Sequence, residues 1–134
     1  MESVLKKKLR DERGATAVEF GLIVPILLIL VLGIIEFGHA FQVQGTLSAA
    51  AREGARAMAL RNDPAQARDA VQAAAAALNP GVTDAQISIS PASCPTGMSD
   101  TNVTLTIDYP MPFLTDFFGA SIDLTGTGVM RCQG

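Results

Sequence analysis

Few residues in this chain carry groups able to do chemistry, and those few stand far apart. Glu19 is a carboxylate at the start of a long apolar run. Cys94 and Cys132 are the two cysteines, and His39 is the one histidine. Their spacing fits no zinc motif, and one histidine cannot complete a metal site, so no metal is expected. His39 falls at the end of the apolar run and reads as an interfacial polar residue rather than a general base. Asp108, Asp116 and Asp123 are scattered around strand ends and read as solvated positions. Gly126-Thr127-Gly128 falls late in a strand with no helix after it, which is not how a phosphate-cradling loop is built. No catalytic residue, no cofactor and no small-molecule substrate is expected.

The elements that must position these residues begin with a charge step. Lys6, Lys7, Lys8, Arg10 and Arg13 stand against Glu2, Asp11 and Glu12 in the first fourteen positions. The whole chain is at net -3, so everything after Gly14 is strongly acidic, and it contains no lysine. A nucleic-acid partner needs a basic face, so it is disfavoured. Aromatics make up only 5% of the chain, with no tryptophan, which leaves little to wall a large ligand pocket.

From Phe20 to Ile35 there is no charged residue and no polar face. With Ala15–Val18 before it and Phe37–Phe41 after it, the run makes enough helix to cross a hydrocarbon layer of about 30 Å. Pro25 removes one backbone hydrogen bond and is expected to bend the helix near Gly21, which membrane helices tolerate. The basic cluster precedes the span, so residues 1–14 are expected to stay cytoplasmic and the chain beyond about Phe41 to lie outside. A carboxylate such as Glu19 costs about 2.5–3.5 kcal/mol at mid-bilayer and less near the interface. Snorkelling to the headgroups is its plain explanation.

The surrounding residues offer a second one. The segment Arg13-Gly14-Ala15-Thr16-Ala17-Val18-Glu19-Phe20 resembles the prepilin-peptidase site of type IV pilins, and its GATAVEF wording is closest to the Flp and TadE-like branch. The likeness continues through Pro25, Glu36-Phe37-Gly38 and Ala50-Ala51-Arg52-Glu53-Gly54-Ala55-Arg56, and the ending VTLTIDYPMPFL…IDLTGTGVMRCQ is similar too. Major Flp pilins lack a comparable globular domain and TadG-like members are much longer, so the length fits the minor, TadE-like class. The resemblance implies that a prepilin peptidase cuts after Gly14 and makes Ala15 the new N-terminus. It implies that Glu19 of a neighbouring subunit pairs with the Ala15 amine, so that two costly charges offset each other. The implied partners are other pilin and pseudopilin subunits, an inner-membrane assembly platform and the lipid bilayer. The implied role is structural: pilus biogenesis and surface adhesion.

The remainder reads as a small extracytoplasmic α+β domain of pilin-like type, a long N-terminal helix and a second short helix packed on a three-stranded antiparallel sheet. The divisions are a leader at 1–14, the transmembrane and assembly helix at 15–61, and the domain at 62–134. Phe41, Leu47, Ala50, Ala51, Gly54 and Met58 are expected to form the buried stripe of the first helix. Gly45 and Gly54 weaken that helix by about 1 kcal/mol each, for which close packing is one reason and mere tolerance another. The Arg52-to-Arg56 charges are either a solvated face or a docking surface. Asp63 and Pro64 can start a second helix, expected to run to about Leu78 with Val71, Ala74 and Leu78 inward. Strands are expected around Ile87 and Ile89, from Val103 to Tyr109, and from Ser121 to Cys132. Phe113, Leu114, Phe117 and Phe118 are expected to cap the core, with a contact patch for neighbours as the alternative. In an oxidising compartment Cys94 and Cys132 suit a disulfide between the Pro91–Thr101 loop and the last strand, stabilising by about 3–4 kcal/mol. Two buried free thiols are the alternative.

Other lives for the chain are open at this point. Gly38-His39-Ala40 is a small-x-small site at which a signal peptide could be removed, releasing a secreted binding domain, and an uncleaved single-pass envelope protein is a third possibility. N-terminal sequencing of the protein from membranes separates them. A start at Ala15 is expected; a start at Phe41 identifies a secreted domain, and retention of Met1 an uncleaved anchor.

Overall fold

The computed structural model describes residues 1–97 and 100–132, with the backbone alone at Leu9; the loop positions Met98 and Ser99, and Gln133 at the end of the pilin-like motif, lie outside the described residues. The elements are α1 (Glu2–Arg61), α2 (Pro64–Ala74), β1 (Ile87–Ser90), β2 (Asn102–Pro112) and β3 (Ser121–Arg131), with single 3-10 turns at Asp84–Gln86 and Asp116–Phe118. This is the expected α+β layout. Contacts divide the chain into two units, Met1–Phe37 and Gly38–Gly134.

The first unit is helix throughout, unbroken across Pro25. It is the one helix among the described residues that is long and apolar enough to cross a membrane, and none of its apolar window is buried. Phe20, Leu22, Ile26 and Ile34 are all exposed. A core helix of a soluble protein would hide such a surface.

The second unit is one sheet with helix on one face. The strands run antiparallel in the order β1-β2-β3. Val103, Leu105, Ile107, Tyr109 and Met111 of the central strand are buried, as period-two alternation requires. Ile87 and Ile89 of β1 sit opposite Ile107 and Leu105 and share their face. The other face carries Ser88, Ser90, Thr104, Thr106, Thr125 and Thr127, none of them buried.

On β3 the inward positions opposite Leu105 and Ile107 are Gly128 and Gly126. A Cβ at Gly126 would stand 2.7 Å from the backbone carbonyl of Leu47, and one at Gly128 would collide with the backbone of Ala51 and Arg52. The α1 backbone therefore lies directly on β3. Gln44 reinforces this contact by donating through Nε2 to the Thr125 carbonyl at 2.7 Å. Gly54 serves a third close approach, its hydrogen facing the side chains of Val71 and Leu105, whereas Gly45 has open space around it. Close packing thus explains one of the two helical glycines and not the other.

The buried stripe of α1 is Val43, Leu47, Ala50, Ala51, Gly54, Ala55 and Met58, which corrects the expected one. Phe41 is 66% exposed; it stands two residues before Val43, about 200° around the helix. Helix α2 begins as expected, Asp63 accepting from the Ala65 amide at 2.9 Å with Pro64 in the first turn. It ends at Ala74 rather than near Leu78. Ala76 and Leu78 bond to carbonyls three residues back, tightening the chain out of the α-helix. Its buried row is Ala67, Val71 and Ala75; Ala74 is exposed. The phenylalanines also depart from expectation. Strand pairing runs out to Pro112 and Ser121, so residues 113–120 form a connection beyond the core. Phe113 packs against the core, but Leu114, Phe117 and Phe118 are 58%, 61% and 43% exposed.

The far end of this unit is tied three ways. Cys94 and Cys132 are joined by a disulfide with Cα atoms 5.8 Å apart. Asn62, in the left-handed conformation at φ 51°, ends α1. Its side chain accepts from the Cys94 amide at 2.6 Å and donates to the Cys94 carbonyl at 3.3 Å. At the other end the buried Tyr109 hydroxyl donates to the Pro80 carbonyl at 2.6 Å, and burial raises its pKa above 10.0.

Two outcomes are expected from thermal unfolding of the full chain in detergent. Gly128→Ala lowers stability by about 1–3 kcal/mol because helix backbone cannot yield to the new methyl group, whereas Gly45→Ala raises it by about 0.5–1 kcal/mol. Joint replacement of Cys94 and Cys132 by serine costs about 2–4 kcal/mol. Reductant is expected to lower the melting temperature of the natural chain and leave that of the double variant unchanged.

Candidate processing and assembly site

Gly14, Ala15 and Glu19 all lie within α1, exposed to the surroundings. Gly14 has no neighbouring atom within reach of a Cβ, so nothing about packing requires glycine there. What glycine does supply is a weak point, since it costs a helix interior about 0.5–1 kcal/mol relative to alanine. Glycine at residue 14 therefore lowers the local cost of opening the helix. Two residues further on, the Thr16 hydroxyl bonds back to the Glu12 carbonyl at 2.9 Å, a contact that spans this point.

Ala15 and Glu19 are one turn apart and share a face of the helix. An amine created at Ala15 and the Glu19 carboxylate would therefore project from the same side of the same helix end. Phe20 follows, 70% exposed, and opens the apolar surface. The basic cluster, Gly14, Glu19 and the apolar surface occur in that order along one helix.

Other candidate residues fall elsewhere. His39 lines a cleft of about 90 Å³ with Gln42, Thr46, Asn79 and Tyr109. Among the described residues no group of three or more His, Cys, Asp or Glu is placed to hold a metal ion. Arg52, Glu53 and Arg56 are exposed while Ala50, Ala51, Gly54 and Ala55 are buried, so the small residues of that motif serve packing. Glu36 was not anticipated as a structural residue. It is 4% exposed, the single buried charged or polar residue among those described, and it has an interaction partner. Its position closing the uncharged run was the available signal.

Residues 14–56 match the family model for TadE-like protein. Over that stretch the chain is similar to TadE-like proteins. The match opens on Gly14, takes in Glu19 and the apolar run, and closes on Arg56, so it is consistent with a TadE-like protein of Tad pilus systems. The similar ending noted from Val103 onward lies outside the matched residues. Comparison with curated proteins gives no match, and comparison with solved structures gives none.

Proposed function

We propose that this chain is a minor pilin-like subunit of a tight-adherence pilus, anchored in the inner membrane and carrying a small extracytoplasmic domain. The observation that carries the reading is Glu19 on an exposed apolar helix, five positions after Gly14, inside the TadE-like stretch. Residues 1–14 are the cytoplasmic leader, 15–61 the assembly helix and 62–134 the exported domain. A prepilin peptidase removes the leader after Gly14. The chain is the substrate of that reaction and contributes no catalysis of its own.

The physical logic follows from the membrane. Removing the leader discards the lysine cluster that holds the N-terminus at the cytoplasmic surface. It leaves a cation at Ala15 and a carboxylate at Glu19 beside an apolar helix. Each charge is costly within the bilayer, and pairing with the opposite charge on a neighbouring subunit offsets that cost. The pair sets the register between subunits, and the apolar surface from Phe20 onward finds its cover among like helices. Other pilins and pseudopilins are then the partners, brought together by an assembly platform in the inner membrane. Surface adhesion is the purpose such a fibre serves.

Paired variants test this. Gly14→Val is expected to leave full-length precursor in the membrane, while Glu19→Ala is processed normally but missing from sheared pili. Normal processing of the first, or full incorporation of the second with intact adhesion, rejects the reading. In the latter case Glu19 merely snorkels.

A further inference from the structure

The chain holds 6 phenylalanines and no tryptophan. Phe20, Phe37 and Phe41 flank the apolar run of α1; Phe113, Phe117 and Phe118 lie at the β2–β3 connection. No phenylalanine is spent on the middle of the second unit's core, which is built from aliphatic residues and Tyr109.

The connection lies at a defined end of that unit. Gln44 bonds to Thr125, Leu47 lies on Gly126 and Ala51 on Gly128, so α1 and β3 advance in the same direction. The Gly38 end of the helix therefore stands beside the Ile122 end of the strand. Met111 and Pro112 line the same cleft as His39, which agrees. Asn62, Cys94 and Cys132 mark the opposite end. The aromatic connection is thus at the end where the chain enters this unit from the apolar run.

Its rings are held in place. Phe117 and Phe118 pack edge to face at 5.4 Å and 75°, and Phe113, partly buried against the core, lies 6.3 Å from Phe118. Phe117 and Phe118 nonetheless remain 61% and 43% exposed, with Ile122 beside them at 41%. Rings already ordered lose little entropy on entering a new medium. Asp116 is the nearby charge on the turn and there is no basic residue between Pro112 and Ile122, so attraction to anionic headgroups is not what would recruit this segment.

We propose that the β2–β3 connection is a second membrane contact, with Phe117 and Phe118 seated in the headgroup region of the bilayer from which α1 emerges. Phenylalanine, with tryptophan and leucine, is among the residues that interfacial segments bury at the headgroup and acyl boundary. Phe41, in the same unit as the connection, and the two rings of the connection then lie on the extracytoplasmic side. Contact depends on apolar burial and persists at high salt. The proposal rests on residues 20–35 spanning the bilayer, and not on cleavage at Gly14 or on pilus assembly.

The absence of tryptophan makes the test direct. Full-length chain carrying Phe117→Trp, Leu28→Trp or Val129→Trp as its one tryptophan is placed in phosphatidylcholine vesicles with bromine at shallow or deep acyl positions. Phe117→Trp is expected to emit to the blue of Val129→Trp, which lies on the outer sheet face, and to lose intensity most with shallow bromine at low and high salt alike. Leu28→Trp is expected to be quenched by deep bromine. If Leu28→Trp is quenched and Phe117→Trp is not, whether its emission is aqueous or blue-shifted by a protein contact, the second membrane contact is wrong and the span stands. If neither is quenched, the spanning reading itself fails.

Discussion

The domain depends on how closely one helix can lie on one strand. Helices usually meet sheets through side chains, which keep the backbones well apart. Here Gly126 and Gly128 remove those side chains from β3, and the Leu47 and Ala51 backbone occupies the space. The remaining packing follows from that approach. The sheet's largest buried residues stand on the central strand, where Leu105, Ile107 and Tyr109 have room. The helix is in turn restricted to small residues at Ala50, Ala51, Gly54 and Ala55. Helix α2 can then come close enough for Val71 to lie against Gly54. A unit this small cannot rely on core volume, and close approach together with a disulfide takes its place.

The parts legible in sequence were those with a strong local signature. The apolar run, the Asp63-Pro64 helix start and the alternation from Val103 to Tyr109 each depend on neighbours in the chain, and each was found. Phe41 misled because a large apolar residue next to a membrane span looks like core, although helical angle excludes it from the stripe that Val43 begins. The end of α2 was placed too far along because alanine favours helix and says nothing about the turn toward Pro80. For Phe117 and Phe118 the sequence fits both a core cap and a contact patch, because hydrophobicity alone does not state which medium a residue prefers.

Gly126-Thr127-Gly128 was the larger omission. Two glycines two apart on one strand face mark a place where another backbone comes close, a signal separate from the phosphate-loop pattern that they do not fit. In the membrane segment the limits are of another kind. Gly14 and Glu19 are legible as types and spacing, and an isolated helix leaves both exposed. Glu36 closes the apolar run as plainly as Glu19 opens it, and its burial follows from folding rather than from any pattern around it.

The glycine slots also give the domain a mechanical character. Because α1 and β3 advance side by side, a pull along the helix loads their contact in shear, so the supporting bonds strain together instead of unzipping in turn. Sliding would have to drag the Leu47 and Ala51 backbone out of the recesses at Gly126 and Gly128, against the inward bulk of Leu124 two residues along the same face. The two recesses act as detents, a stop against axial creep made by leaving atoms out.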